Sequence, residues 1–122
     1  MKKLLILEDD EILNRAYVQK FSNIFELKIA TDVFEAEKSM ESYRPDVILL
    51  DLYIPGKTSG IDFLKSIKEN YIYRKIPVIV TTNLPDSSDL VINLGAESCF
   101  MKSNISMEKI VEEINRVVSM VK

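Results

Sequence analysis

Residues 45–60 read Pro-Asp-Val-Ile-Leu-Leu-Asp-Leu-Tyr-Ile-Pro-Gly-Lys-Thr-Ser-Gly. Within them an unbroken apolar run, Val47–Leu50, ends on an acid, Asp51. A run this short and continuous predicts a strand buried on both faces, as in a parallel sheet covered by helices. The pattern recurs on either side. Leu4–Leu7 leads into Glu8-Asp9-Asp10, and Val78–Val80 leads into Thr81-Thr82-Asn83. Leu27–Ala30 and Cys99–Met101 are weaker versions, the last followed by Lys102.

Helical periodicity fills the gaps. Ile12, Leu13, Ala16, Tyr17 and Phe21 recur at three to four residues. Asp32 with Glu35 predicts a capping box, and Ala36 and Met40 an inner face. Ile61, Leu64, Ile67 and Lys68 follow Gly60. Asp86–Leu94 predicts a short helix stopped by Gly95 as the residue just past its end. The last helix gathers Ile110, Val111, Ile114, Val117, Val118 and Val121 on one face, with Ser106 as cap and Ile105 as staple. Five strands alternating with five helices predict an α/β three-layer sandwich around a parallel sheet.

The composition sets limits. The chain has 122 residues and a formal net charge of −3, with 47% hydrophobic and 29% charged residues. That is an ordinary globular domain, so residues 1–122 are expected to form one domain. The chain ends after the fifth helix, so no DNA-binding or catalytic domain is expected beyond it. There is no histidine and one cysteine, Cys99. Histidine-based triads, histidine zinc sites and an intrachain disulfide are therefore excluded. A slightly acidic chain lacks the basic stripe of a nucleic-acid binder. The apolar run Leu4–Leu7 is shorter than the roughly 7–15 residues of a signal peptide. No segment has the roughly 18 apolar residues of a membrane span. A cytoplasmic protein is expected.

In open α/β sheets ligands bind beyond the carboxyl ends of the strands. Those ends deliver Glu8, Asp9 and Asp10, then Asp51, Thr82 and Lys102. Crowded carboxylates repel, and one stays protonated unless a cation intervenes. Mg²⁺ takes oxygen ligands and is usually held by one or two carboxylates plus phosphate. An aspartate can be a nucleophile that forms an aspartyl phosphate. Lysine and a hydroxyl suit the phosphoryl oxygens. The set predicts metal-assisted phosphoryl transfer to Asp51.

At this point the chain resembles the receiver domains of two-component response regulators. LLILEDDEILNR resembles their first strand and acidic pair, and PDVILLDLYIPGKTSG their phosphoacceptor strand and loop. IPVIVTTN and LGAESCFMKS resemble the strands that carry the hydroxyl and the lysine. The resemblance implies a flavodoxin-like (βα)5 fold with strand order 2-1-3-4-5. It implies that Asp9 holds Mg²⁺ directly, Glu8 through water, and that the Tyr53 carbonyl completes the site. It implies phosphorylation of Asp51, with Thr82 and Lys102 on the phosphoryl oxygens. A histidine kinase or a histidine phosphotransfer protein would be the donor. The alternative is a receiver-like docking module that works without phosphorylation.

The chain departs from the family pattern in four places. Ser103 stands where proline usually follows the lysine, which predicts a trans Lys102–Ser103 bond. Cys99 stands at the aromatic switch position, with Phe100 on the opposite side of the strand. Asn83 replaces a small residue, and the loop Gly56-Lys57-Thr58-Ser59-Gly60 is long for the family while the stretch from Thr82 to Gly95 is short. Two rivals fail on spacing. The Gly56-Lys57-Thr58 triplet has Asp51 where a P-loop needs glycine. A dehalogenase-type phosphatase needs a second aspartate where Tyr53 stands.

Overall fold

The computed structural model describes residues 1–54, 59–84 and 87–120. β1 (Lys3–Leu7), β2 (Glu26–Ala30), β3 (Val47–Asp51), β4 (Val78–Thr82) and β5 (Ser98–Met101) alternate with five helices. These are α1 (Glu11–Phe21), α2 (Val33–Ser42), α3 (Gly60–Glu69), α4 (Ser88–Asn93) and α5 (Met107–Met120). All strand pairings are parallel. The order is β2-β1-β3-β4-β5, the flavodoxin-like order that the resemblance implies.

β3 and β4 are buried along their whole length, and β1 from Leu4 onward. Alternation splits their side chains between two cores. Leu5, Leu7, Ile48, Leu50, Val78 and Val80 pack with α2, α3 and α4. Leu4, Ile6, Val47, Leu49 and Ile79 pack with α1 and α5. Each such side chain contributes roughly 1.5–3 kcal/mol on burial.

The helix ends follow the predicted chemistry with local changes. Asp10 caps α1, accepting from the Ile12 and Leu13 amides at 2.9 and 3.2 Å. Asp32 caps α2 through the Glu35 amide at 2.8 Å. Glu35 reaches back to the amide of Thr31 instead of closing a box on Asp32. Ser106 caps α5 through the Lys109 amide. Gly95, at φ 111°, follows α4 as predicted.

Periodicity alone does not set which side chains are buried. Ile12 is 77% exposed, because the buried stripe of α1 runs through Asn14, Tyr17 and Phe21. Lys68, at helical spacing with the apolar residues of α3, divides its stem from its charge. Its ammonium donates to the Arg74 and Ile76 carbonyls at 3.1 and 2.8 Å, and its stem packs beneath Gly95. Cys99 is half-buried against the α2–α4 side of the sheet, and Phe100 faces the other core, as alternation requires. Asp86, Val121 and the Gly56-Lys57-Thr58 triplet lie outside the described residues. Among the described residues no peptide bond is cis, so Lys102–Ser103 is trans. No helix among them is long and apolar enough to cross a membrane.

Candidate functional site

Strand parity decides what meets at the carboxyl edge of the sheet. Glu8 continues the alternation of Leu4 and Ile6, and Asp51 that of Val47 and Leu49. Lys102 continues that of Phe100. All three therefore emerge on the α1–α5 side. The chain after β1 adds Asp9, which is exposed. Glu8, Asp9 and Asp51 each place a carboxylate oxygen within 4.8 Å of the others.

Lys102 Nζ bridges two of these acids, 2.7 Å from Glu8 Oε1 and 3.2 Å from Asp51 Oδ2. Glu8 Oε2 accepts the Asp10 amide at 3.2 Å. Asp51 Oδ1 accepts the Tyr53 amide at 3.1 Å. Glu8 is 1% exposed and Asp51 4%. Burial is the main reason that the Glu8 carboxyl is pushed up to about 7; contact with Lys102 opposes this and the Asp51 charge reinforces it. Burial also disfavours the Lys102 charge, but Glu8 and Asp51 outweigh it and hold the ammonium above its ordinary value.

Thr82 ends β4 and is buried. Its parity is opposite to that of Asp51, and its hydroxyl accepts the Leu84 amide at 3.0 Å. Its carbonyl accepts the Lys102 amide at 2.9 Å, which ties the two residues together through the backbone. Tyr53 stands two residues beyond Asp51 with a half-exposed ring.

These donors fit a hard divalent cation. Three carboxylates converge, one of them exposed to water. Glu8 Oε1 is buried, and the Lys102 ammonium lies 2.7 Å from it. A cation entering beside the second acid would share that oxygen with the ammonium.

Two structural contributors were not singled out in the sequence. Asn14 sends its Nδ2 to the Glu8 carbonyl at 2.8 Å. A polar residue on an apolar helical stripe was the signal. Gly60 opens α3 directly against the Asp51–Leu52 backbone, where a Cβ would meet the Leu52 oxygen at 2.6 Å and the Asp51 oxygen at 2.9 Å. Only glycine permits that approach.

Comparison with known proteins follows the same lines. The family model for the response regulator receiver domain matches residues 4–115. Protein-glutamate methylesterase/protein-glutamine glutaminase 2 of Oleidesulfovibrio alaskensis is 33% identical, over 91% of this chain and 32% of its own length. Phosphate regulon transcriptional regulatory protein PhoB of Escherichia coli is 31% identical, over 96% of this chain and 52% of its own. The chain thus spans about a third to a half of these relatives. The crystal structure of the signal receiver domain of a DNA-binding response regulator (merR) from Colwellia psychrerythraea 34H superposes with a TM-score of 0.87. It is 29% identical, covering 98% of this chain and 99% of that one. A Francisella response regulator 1452 receiver domain, 22% identical, shares the fold at a TM-score of 0.89 over 100% of both chains. A phosphorylation-independent docking module is not favoured. The match over residues 4–115 shows the family: the chain belongs to the response regulator receiver domains, and its function is phosphoacceptor signalling.

Proposed function

We propose that Asp51 is the phosphoacceptor and that residues 1–122 act as one receiver domain in the cytoplasm. The observation that carries this reading is Lys102 Nζ at 3.2 Å from Asp51 Oδ2, beside the Glu8 and Asp9 carboxylates. An oxygen of the Asp51 carboxylate attacks the phosphorus of a phosphohistidine. A P–O bond forms as the P–N bond breaks, and the imidazole leaves and takes up a proton. Lys102 offers its ammonium to the incoming phosphoryl oxygens, and Thr82, turned toward them, donates its hydroxyl proton.

Glu8, Asp9, Asp51 and the Tyr53 carbonyl would hold Mg²⁺. Bound there, it supplies positive charge that offsets the phosphoryl oxygens and the crowded acids. The domain's own chemistry is limited to accepting and losing the phosphoryl group.

The donor is a histidine kinase or a histidine phosphotransfer protein. A cleft of about 410 Å³ beside Lys102, lined in part by Ile12, Leu13, Ala16, Asn83 and Ser103, supports docking there. The 77% exposure of Ile12 suits an apolar contact. The test is transfer of labelled phosphate from a histidine-phosphorylated donor domain. Wild type with Mg²⁺ should take the label, and Asp51→Asn or added EDTA should prevent it. Equal labelling of Asp51→Asn would remove Asp51 from the role.

A further inference from the structure

Asn14 is 8% exposed, on the stripe of α1 that also buries Tyr17 and Phe21. Its Nδ2 donates to the Glu8 carbonyl oxygen at 2.8 Å. The orientation of the amide is fixed, because a carbonyl only accepts. Its Oδ1 is then left buried with no partner among the described residues. A buried acceptor in that state lowers stability, so its presence calls for an explanation.

The explanation lies in what the other end of the amide holds. The Glu8 carbonyl belongs to the planar Glu8–Asp9 peptide unit. The Glu8 amide on the preceding unit donates to the Ala30 oxygen at 3.0 Å. The backbone of Glu8 is therefore tied to β2 on one side and to α1 on the other. Fixing the plane between Glu8 and Asp9 fixes the directions in which both carboxylates leave the chain. Among the described residues the Asn14 side chain's hydrogen bond goes to the Glu8 carbonyl, not to either carboxylate.

We propose that Asn14 is a positioning residue for the acidic pair. Through the Glu8 carbonyl it aims Glu8 and Asp9 at the space shared with Asp51. This rests on reading that space as a divalent-cation site. A merely structural asparagine would support the fold without setting cation affinity.

Asn14→Leu separates the two roles. Leucine has a similar volume, removes the donor and also removes the orphaned Oδ1. The two effects on stability oppose each other, so melting should change little. Asn14→Ala covers the case in which leucine is not accommodated. Ser39→Ala, a buried α2 residue whose hydroxyl bonds the Glu35 carbonyl, is the control. Amide NMR is recorded first without metal and then on titration with Mg²⁺ alone. The expected result is a dissociation constant for Mg²⁺ weakened about 10-fold in Asn14→Leu, as for other residues that orient metal ligands. Metal-free shifts should concentrate at Glu8, Asp9 and Asp10, and Ser39→Ala should show neither effect. Unchanged Mg²⁺ affinity and unchanged Glu8–Asp10 amides would overturn the proposal, whatever happens to melting. If wild type itself does not bind Mg²⁺, the cation reading fails. The metal-free shifts then decide alone whether Asn14 sets the turn.

Discussion

Lys102 Nζ stands 2.7 Å from Glu8 Oε1, so the lysine at the end of β5 already neutralises the buried acid at the end of β1. A cation entering among the acids must share Glu8 with that ammonium. Lys102→Met should therefore bind Mg²⁺ several-fold more tightly than wild type. Its metal-free stability at alkaline pH should fall, because Glu8 and Asp51 then face each other uncompensated. Mg²⁺ titration and thermal melting check both halves. Equal Mg²⁺ affinity in the two proteins would mean that Lys102 does not compete.

The Glu8 carboxyl, raised from 4.5 to about 7, makes the metal-free protein pH-dependent. The native state holds this proton more tightly than the unfolded chain does. Its contribution to stability is thus complete below the unfolded value and is lost as pH rises toward 7. Cation binding has the opposite sign, since it requires the carboxylate. Mg²⁺ affinity should rise with pH up to about 7 and then level off. Glu8→Gln should flatten both trends in melts and titrations run between pH 5 and 8.

Gly60→Ala should be the more damaging of two glycine substitutions. Its Cβ would press on the backbone oxygens of Leu52 and Asp51, which cannot yield without moving the phosphoacceptor. A loss of about 1–3 kcal/mol is expected from such overpacking, together with slower phosphorylation. At Gly95 a Cβ would meet the flexible stem of Lys68, although φ there is 111°. Gly95→Ala should lower stability and leave phosphorylation nearly intact. Denaturant melts and acetyl phosphate labelling distinguish the two.

Thr82 and Cys99 occupy the positions through which the signal would leave. Thr82 Oγ1 accepts the Leu84 amide and keeps its own proton for a phosphoryl oxygen; turning toward that oxygen would release Leu84 and free the start of the β4–α4 connection. Cys99 has no ring to turn inward, and burial holds its thiol above its ordinary pKa. Thr82→Ala should erase the beryllofluoride-induced amide shifts in Asn83, Leu84 and α4. Cys99→Ala should keep them. If Cys99→Ala erased them equally, β5 would be the transmitter.

The sheet was legible because buried parallel strands write themselves as apolar runs, and strand-end chemistry follows from where those runs stop. Asp51, Glu8 and Lys102 could be named from that rule alone. The spacing of Ile12, Leu13, Ala16, Tyr17 and Phe21 predicted α1 but not the phase of its buried stripe, which takes in the polar Asn14 and leaves Ile12 exposed. Lys68 keeps the spacing of the apolar residues of α3, and its long stem does pack, while its ammonium serves carbonyls that the loop after α3 brings back. The raised carboxyl of Glu8 was foreseeable only as some acid among several. Glu8 is raised first by its burial, which the sequence does not show.

The central claim is that Asp51 takes the phosphoryl group with the help of its acidic neighbours. Site-mapped mass spectrometry after incubation with acetyl phosphate and Mg²⁺ tests it most directly. The account predicts one added phosphoryl group, located on Asp51, absent from Asp51→Asn and strongly reduced in Asp9→Ala. A wild-type protein that stays unmodified under these conditions, or one labelled on another residue, would contradict it.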